Sequence, residues 1–157
     1  MTSTDPHRSE AELFAEFEAV AGPETLRRTR ELLDRARAYG ARFFPERRTG
    51  RPSISVWLGD QHQDALSCFG VAAQSSELRI SVHLAWMAPY VEAGALERLE
   101  NDLRATPGLT EHLTGLEETP SFNRRPSLPG ASVLSTDQTA DLFWAAITKV
   151  PELGKRP

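Results

Sequence analysis

The sequence has very little cysteine and no long apolar segment. Cys68 is the only cysteine, which excludes an internal disulfide framework and a metal site built from several thiolates. No apolar run approaches the ~20 residues that a helix needs to cross a bilayer. The first seven residues also lack the basic and apolar pattern of a signal peptide. We therefore expect a cytoplasmic protein that makes no membrane contact.

Sequence patterns for binding phosphate or metal ions are also missing. The ten glycines are scattered along the chain, whereas a phosphate-binding loop groups them closely. The four histidines form no pair at the spacing that metal ligands take on a helix or hairpin. We expect no cofactor and no metal. Cys68, inside a predicted strand, is expected to be buried and unreactive.

Charge is distributed unevenly along the chain. The net charge of −4 is mild, and this disfavours nucleic acid as a partner. Nine of the sixteen arginines nevertheless lie between residues 27 and 51, where only three carboxylates oppose them. Two explanations remain open for this basic segment. It either binds an anionic partner or pairs within the protein with the acidic residues between 92 and 118.

Two stretches with alternating apolar side chains form the centre of the predicted fold. Period-two alternation with β-branched residues is typical of strands that have one buried face and one polar face. A third strand is predicted between them, over residues 64–72, so that residues 52–84 would form an antiparallel meander. The alternating apolar positions are Ile54, Val56 and Leu58 in the first stretch and Leu78, Ile80, Val82 and Leu84 in the second.

Helices are predicted on both sides of the meander. Ser9 with Glu12 has capping-box spacing, and Pro23 and Gly40 suit the start and end of a second helix. Tyr39 is assigned to the core-facing side of that second helix. A third helix is predicted from the apolar spacing at residues 96, 99 and 103, and a last one is predicted from Ser135, which has capping-box spacing with residue 138, to residue 150.

The remaining segments are predicted as connections. Residues 42–51 are predicted to form a loop, residues 85–90 a non-helical link because of Pro89, and residues 131–134 a short fourth strand. The prediction is a single α+β domain over residues 9–151, with one antiparallel sheet of three to four strands and helices packed on one face. Its element order is α-α-β-β-β-α-(α)-β-α. Residues 1–8 are expected to be disordered and residues 152–157 to form a flexible tail.

The polar face of the meander is the predicted binding surface. Trp57 would lie there with Arg79 and His83. The middle strand has two possible orientations, and we prefer the one with Cys68 inside and Phe69 outside, because it groups Phe69 with Trp57. Residues 117–130 form a long proline-containing loop, a type that is often functional, and its two arginines suit an anionic group. The predicted binding residues are Trp57, Phe69, Arg79, His83, Arg124 and Arg125.

These features favour a non-catalytic binding or protein-interaction module. Its partner would be a protein or a small anionic ligand, and its oligomeric state stays open. Two other interpretations compete. Trp57 could belong to the core beneath the 117–130 loop, since tryptophan is highly buried on average. Residues 86–90 could instead form an apolar contact in a larger assembly, which would make the protein a structural subunit.

The order helix, three-strand meander, helix, strand resembles the restriction-endonuclease-like nuclease core over residues 24–150. Asp64 stands at the start of the second strand and Glu77-Leu78-Arg79 opens the third. The resemblance implies that Asp64 and Glu77 bind Mg²⁺ and activate a water molecule. Arg79 replaces the family's lysine, and a guanidinium is a poor base. The alternative site is therefore Asp64, Glu77 and Arg79 in an active or degenerate nuclease-like domain.

Overall fold

The computed structural model describes residues 7–46, 51–58, 66–74, 76–113 and 127–153. These residues form an α+β fold with one antiparallel sheet, in which five strands follow chain order from one edge to the other. The strands are β1 (Arg42–Pro45), β2 (Ser53–Leu58), β3 (Leu66–Gln74), β4 (Glu77–Val82) and β5 (Ser127–Pro129). The α+β class and the antiparallel sheet are confirmed, although the predicted number of strands was too low.

Along the chain, two of the described helices come before the first strand, two lie between β4 and β5, and two follow β5. They are α1 (Glu10–Val20), α2 (Pro23–Tyr39), α3 (Leu84–Met87), α4 (Ala93–Arg104), α5 (Gly130–Val133) and α6 (Asp137–Leu153), with a 3₁₀ turn at Thr110–Leu113. None of the helices in the described ranges is both long and apolar enough to span a membrane.

One face of the sheet is buried and the other is half-exposed. Burial alternates residue by residue along β2 and along most of β4, as expected for strands with one face in the core. Ile54, Val56 and Ile80 join a single hydrophobic core with buried side chains from the helices. We call this the inner face. The opposite side, which carries Ser55, Trp57 and other residues defined below, is the outer face.

Three predicted connections are wrong. Residues 42–45 form strand β1 instead of a loop, because they pair with β2 from Arg42 opposite Trp57 to Pro45 opposite Ile54. Residues 131–134 lie in or beside helix α5, and the strand precedes them as β5. Residues 84–87 form the short helix α3, since one helical turn is complete before the missing N–H of Pro89 matters.

The predicted helix starts and ends are mostly confirmed. The Ser9 hydroxyl caps α1 by accepting from the Glu12 N–H at 3.1 Å, and Gly40 ends α2 with a left-handed φ of 100°. Helix α6 begins one residue later than predicted, because Thr136 is its cap and accepts from the Thr139 N–H at 3.0 Å. It also continues to Leu153, so its predicted end at residue 150 and the predicted start of a flexible tail at residue 152 are wrong. Tyr39, predicted in the core, is 41% exposed.

Four described arginines of the basic segment, at positions 27, 28, 35 and 37, pair with carboxylates inside the fold. Arg28 reaches Asp137 at 3.0 Å, and Arg35 reaches Asp141 at 2.7 Å, so both join α2 to α6. Other ion pairs connect α2 to α1 or lie within α2. The predicted pairing with residues 92–118 is therefore wrong for these side chains. The Arg28 guanidinium also lowers the pKa of Asp137 by a hydrogen bond and by its charge.

Candidate binding face of the sheet

A β-bulge in β3 decides which side chains reach the outer face. Val56 pairs with Phe69, but the next residue, Trp57, pairs with Ser67. Cys68 is therefore an extra residue, as in bulges where two residues oppose one. Ser67 shares the outer face with Trp57. Phe69 points to the inner face instead of the outer one.

The prediction that Phe69 belongs to the binding surface is therefore wrong. Its side chain is fully buried and packs edge-on against Phe143 of α6 with ring centroids 5.5 Å apart. The physical reason is the bulge, since one extra residue reverses the alternation that follows it. Cys68 is buried as predicted, and this burial raises the pKa of its thiol to about 12.

The strand register arranges the outer face in rows that run across the strands. A central row consists mainly of small side chains, and the rows beside it carry the larger ones. The rows are Arg42, Trp57 and Ser67; Phe44, Ser55, Gly70, Ser81 and Ser127; and Ser53, Ala72, Arg79 and Pro129. The central row therefore carries three serine side chains between the larger residues of the neighbouring rows.

His83 and Ser67 form a nearly buried polar pair at one end of this face. Ser67 Oγ lies 2.8 Å from His83 Nδ1, and His83 is only 4% exposed. The expectation that His83 is open to solvent is wrong. The imidazole lies over Gly70, where an added Cβ would be 3.2 Å from Nε2. Trp86 packs on the ring with centroids 4.7 Å apart.

Trp57 lies on the outer face, as predicted, and is half-buried. Its ring centroid is 5.1 Å from that of Phe44 in β1, whose side chain is 49% exposed. The Trp57 Nε1–H is buried and has no hydrogen-bond partner among the residues that the structure describes. Buried indole N–H groups usually find an acceptor. We call Trp57 and Phe44 the aromatic pair.

Arg79 is held within the fold. Its Nε donates to Ser127 Oγ at 3.0 Å, and one NH₂ group donates to the Ser127 carbonyl at 2.6 Å. Its other NH₂ group pairs with Glu77. These contacts fasten β4 to β5 and occupy the guanidinium that was expected to bind an anion. Arg124 and Arg125, which were predicted to act with it, lie outside the described residues.

The alternative nuclease site gains no geometric support from the described residues. The Glu77 carboxylate forms an ion pair with Arg79. No group of three His, Cys, Asp or Glu side chains within the described ranges could hold a metal ion. Asp64 lies outside those ranges, so its distance from Glu77 is not part of the described geometry.

Four contributors to the outer face were not identified from sequence as site residues. Phe44 was assigned to a loop. Nothing in the sequence marks Gly70, because its importance comes from the His83 imidazole that lies over it in the fold. Ser67 was placed only within a strand, and Trp86 was considered only as part of the apolar contact at residues 86–90. Comparison of the chain with models of protein families, with curated proteins and with solved structures finds no match in any of the three.

Proposed function

We propose that the protein is a non-catalytic binding module that receives a protein partner or a small ligand on the outer face of its sheet. The observation that carries this proposal is the half-exposed polar face with exposed aromatic side chains at its margins. Phe44 is 49% exposed and Trp86 is 45% exposed. Aromatic residues are enriched at protein interfaces and among the residues that dominate binding energy.

The chemistry of the face suits mixed polar and apolar contacts. Ser55, Ser81 and Ser127 offer hydroxyl groups that can donate or accept. The aromatic pair offers an apolar surface beside them. Because these side chains stand on paired strands, little conformational entropy is lost when a ligand orders them, and such preorganisation favours affinity.

A binding role is favoured over catalysis by the packing of the candidate reactive groups. Ser67 and His83 are 5% and 4% exposed, so a substrate would find little access to either side chain. Their contact is the usual arrangement of buried polar groups, which need a hydrogen-bond partner. The Cys68 thiol, with a pKa of about 12, is also a poor nucleophile at neutral pH.

A blocking substitution with a matched control tests this proposal. Ser55→Arg places a long charged side chain in the middle of the outer face, whereas Ala145→Arg makes the same addition on the exposed side of α6. Quantitative mass spectrometry of material captured by each protein should show a partner lost with Ser55→Arg and kept with Ala145→Arg. The proposal fails if both variants retain every partner of the wild type while remaining folded.

A second candidate function is that of a subunit in a larger assembly. It is favoured by the exposed side chains in and after α3, since Trp86 is 45% and Tyr90 is 65% exposed. Contiguous apolar exposure of this kind often marks an interaction site. Sedimentation should show an assembly that Tyr90→Ser weakens. A monomer at high concentration would exclude self-assembly. We also propose a cytoplasmic location, because proteins of oxidising compartments often carry several disulfide-forming cysteines and this chain has one cysteine.

A further inference from the structure

An open cleft lies between helices α4 and α6. Its volume is about 360 Å³, which falls within the range of about 300–1,000 Å³ that small-molecule sites usually have. Leu99 and Ala146 are almost fully buried and supply the apolar part of its lining. The charged side chains that line it are Glu92, Arg98 and Lys149. The cleft therefore combines an apolar surface with a few charged groups, as ligand sites do.

Two opposite charges in this cleft are unpaired within the part of the chain that the structure describes. Glu92 directly precedes α4, and its side chain does not cap the helix. Arg98 follows six residues later, and neither side chain forms an ion pair or hydrogen bond with another described residue. Six residues advance a helix by about 9 Å, and helix side chains meet at spacings of three or four. The two charges therefore stand at different levels of α4 instead of pairing with each other.

Lys149 adds a second cation from the α6 side. Its Nζ lies 3.6 Å from Asp102 Oδ2, and its side chain is 51% exposed. This ion pair is longer than a hydrogen bond, so the N–H groups of Lys149 can still donate to a ligand. Asp102 lies one turn beyond Arg98 and does not itself line the cleft. Both cations consequently lie toward one end of the cleft, and the Glu92 carboxylate lies toward the other.

We propose that this cleft binds a small molecule that carries both an amino group and a carboxylate, as a free amino acid or a short peptide with free ends does. Glu92 accepts from the ammonium group of the ligand. Arg98 and Lys149 donate to its carboxylate, and the apolar lining contacts its side chain. Such a ligand fits better than a simple anion, which Glu92 would repel, or a simple cation, which Arg98 would repel. This site is separate from the outer face and goes beyond the proposed function.

NMR of ¹⁵N-labelled protein tests the site through the backbone signal of Gly94, which lines the cleft and is assigned with Gly94→Ala. The probes are leucine and alanyl-leucine, each also as its N-acetyl form and its amide, which lack one of the two charges. We expect the Gly94 signal to shift and saturate with at least one unmasked probe, and to respond more weakly to its masked forms. The signal of Gly22, between α1 and α2, should stay in place.

The probes and variants identify the ligand and the role of each charge. Saturation with leucine supports a free amino acid, and saturation with alanyl-leucine alone supports a short peptide. Glu92→Gln should weaken the unmasked probe by about three- to tenfold and leave its N-acetyl form unaffected. Arg98→Gln should weaken the unmasked probe to the same extent and leave its amide unaffected. Arg30→Gln removes another exposed arginine, which lies over the Phe14 ring, and should leave every affinity unchanged.

Two outcomes would overturn the inference. Equal affinity for the unmasked and masked forms would exclude recognition of the two charges. The absence of a saturable shift at Gly94 with both unmasked probes would exclude the cleft as a site for this class of ligand. Neither result bears on the outer face, because the capture experiment with Ser55→Arg concerns a different part of the fold.

Discussion

Gly70→Ala tests the arrangement that holds His83 against Ser67. An added Cβ at this position would be 3.2 Å from His83 Nε2 and 3.3 Å from the Ile54 carbonyl oxygen. Both distances are tighter than ordinary van der Waals contact, and the backbone carbonyl is fixed by the sheet. The imidazole must therefore move, and its contact with Ser67 Oγ at 2.8 Å is the first one to lengthen.

Two opposing effects determine how much Gly70→Ala changes the free energy of unfolding. Replacing glycine by alanine reduces the entropy of the unfolded chain, which stabilises a protein by about 0.4–1 kcal/mol when the native site has room. Loss of a hydrogen bond costs about 0.5–1.5 kcal/mol, and a buried polar group left without a partner costs about 1–3 kcal/mol. The second effect is larger, so we expect Gly70→Ala to lower the free energy of unfolding by about 1–2 kcal/mol.

Urea unfolding with a matched glycine provides the measurement. An added Cβ at Gly94, in the first turn of α4, meets nothing within 4 Å, so Gly94→Ala should stabilise by up to about 1 kcal/mol. In a Ser67→Ala background the cost of Gly70→Ala should shrink, because the hydrogen bond is already gone. The reasoning is refuted if Gly70→Ala is neutral or stabilising, as the entropy effect alone would predict.

Three further predictions concern the two faces and the charges. Phe69→Ala should lower the free energy of unfolding by about 3–5 kcal/mol, whereas Phe44→Ala should lower it by about 1 kcal/mol or less. If urea unfolding gave similar losses for the two variants, the assignment of Phe69 to the inner face and Phe44 to the outer face would be contradicted. Cys68 should react with a thiol reagent at pH 8 only as fast as the protein unfolds, because its side chain is fully buried and this burial raises the pKa of the thiol to about 12; immediate reaction of the folded protein would disprove this. The pKa of Asp137 is lowered by Arg28, so its stabilising effect is present above the unfolded pKa of about 3.9 and disappears as pH falls through the lower folded value. Asp137→Asn should therefore lose less stability in acid than wild type, and identical pH profiles would exclude the effect.

The structure could be predicted from the sequence where a regular pattern extended over several residues or helical turns. The cap at Ser9, the glycine after α2 and the apolar spacing of α4 each depend on neighbours within one helix. The inward positions Ile54, Val56 and Ile80 follow from strict alternation within single strands. These features are local, so the residues that specify them are adjacent in the chain.

The features that were predicted wrongly depend on residues far apart in the chain. Strand β1 has only four residues, too few to show a period, and it forms because β2 provides partners. Helix α5 begins at Gly130, where an added Cβ would be 3.0 Å from the Leu78 carbonyl oxygen. Nothing near Gly130 in sequence reveals that approach. The orientation of Phe69 depends on a bulge, which is visible only in the pairing of β3 with β2.

The bulge also explains how strand β3 contributes side chains both to the core and to the outer face. In a regular strand, residues 67 and 69 would point to the same side. The extra residue at Cys68 lets Ser67 stand beside Trp57 while Phe69 fills the core against Phe143. Without that extra residue, either a phenylalanine would leave the core or Ser67 would leave His83. The stability of the inner face and the chemistry of the outer face are therefore set by the same local irregularity in β3.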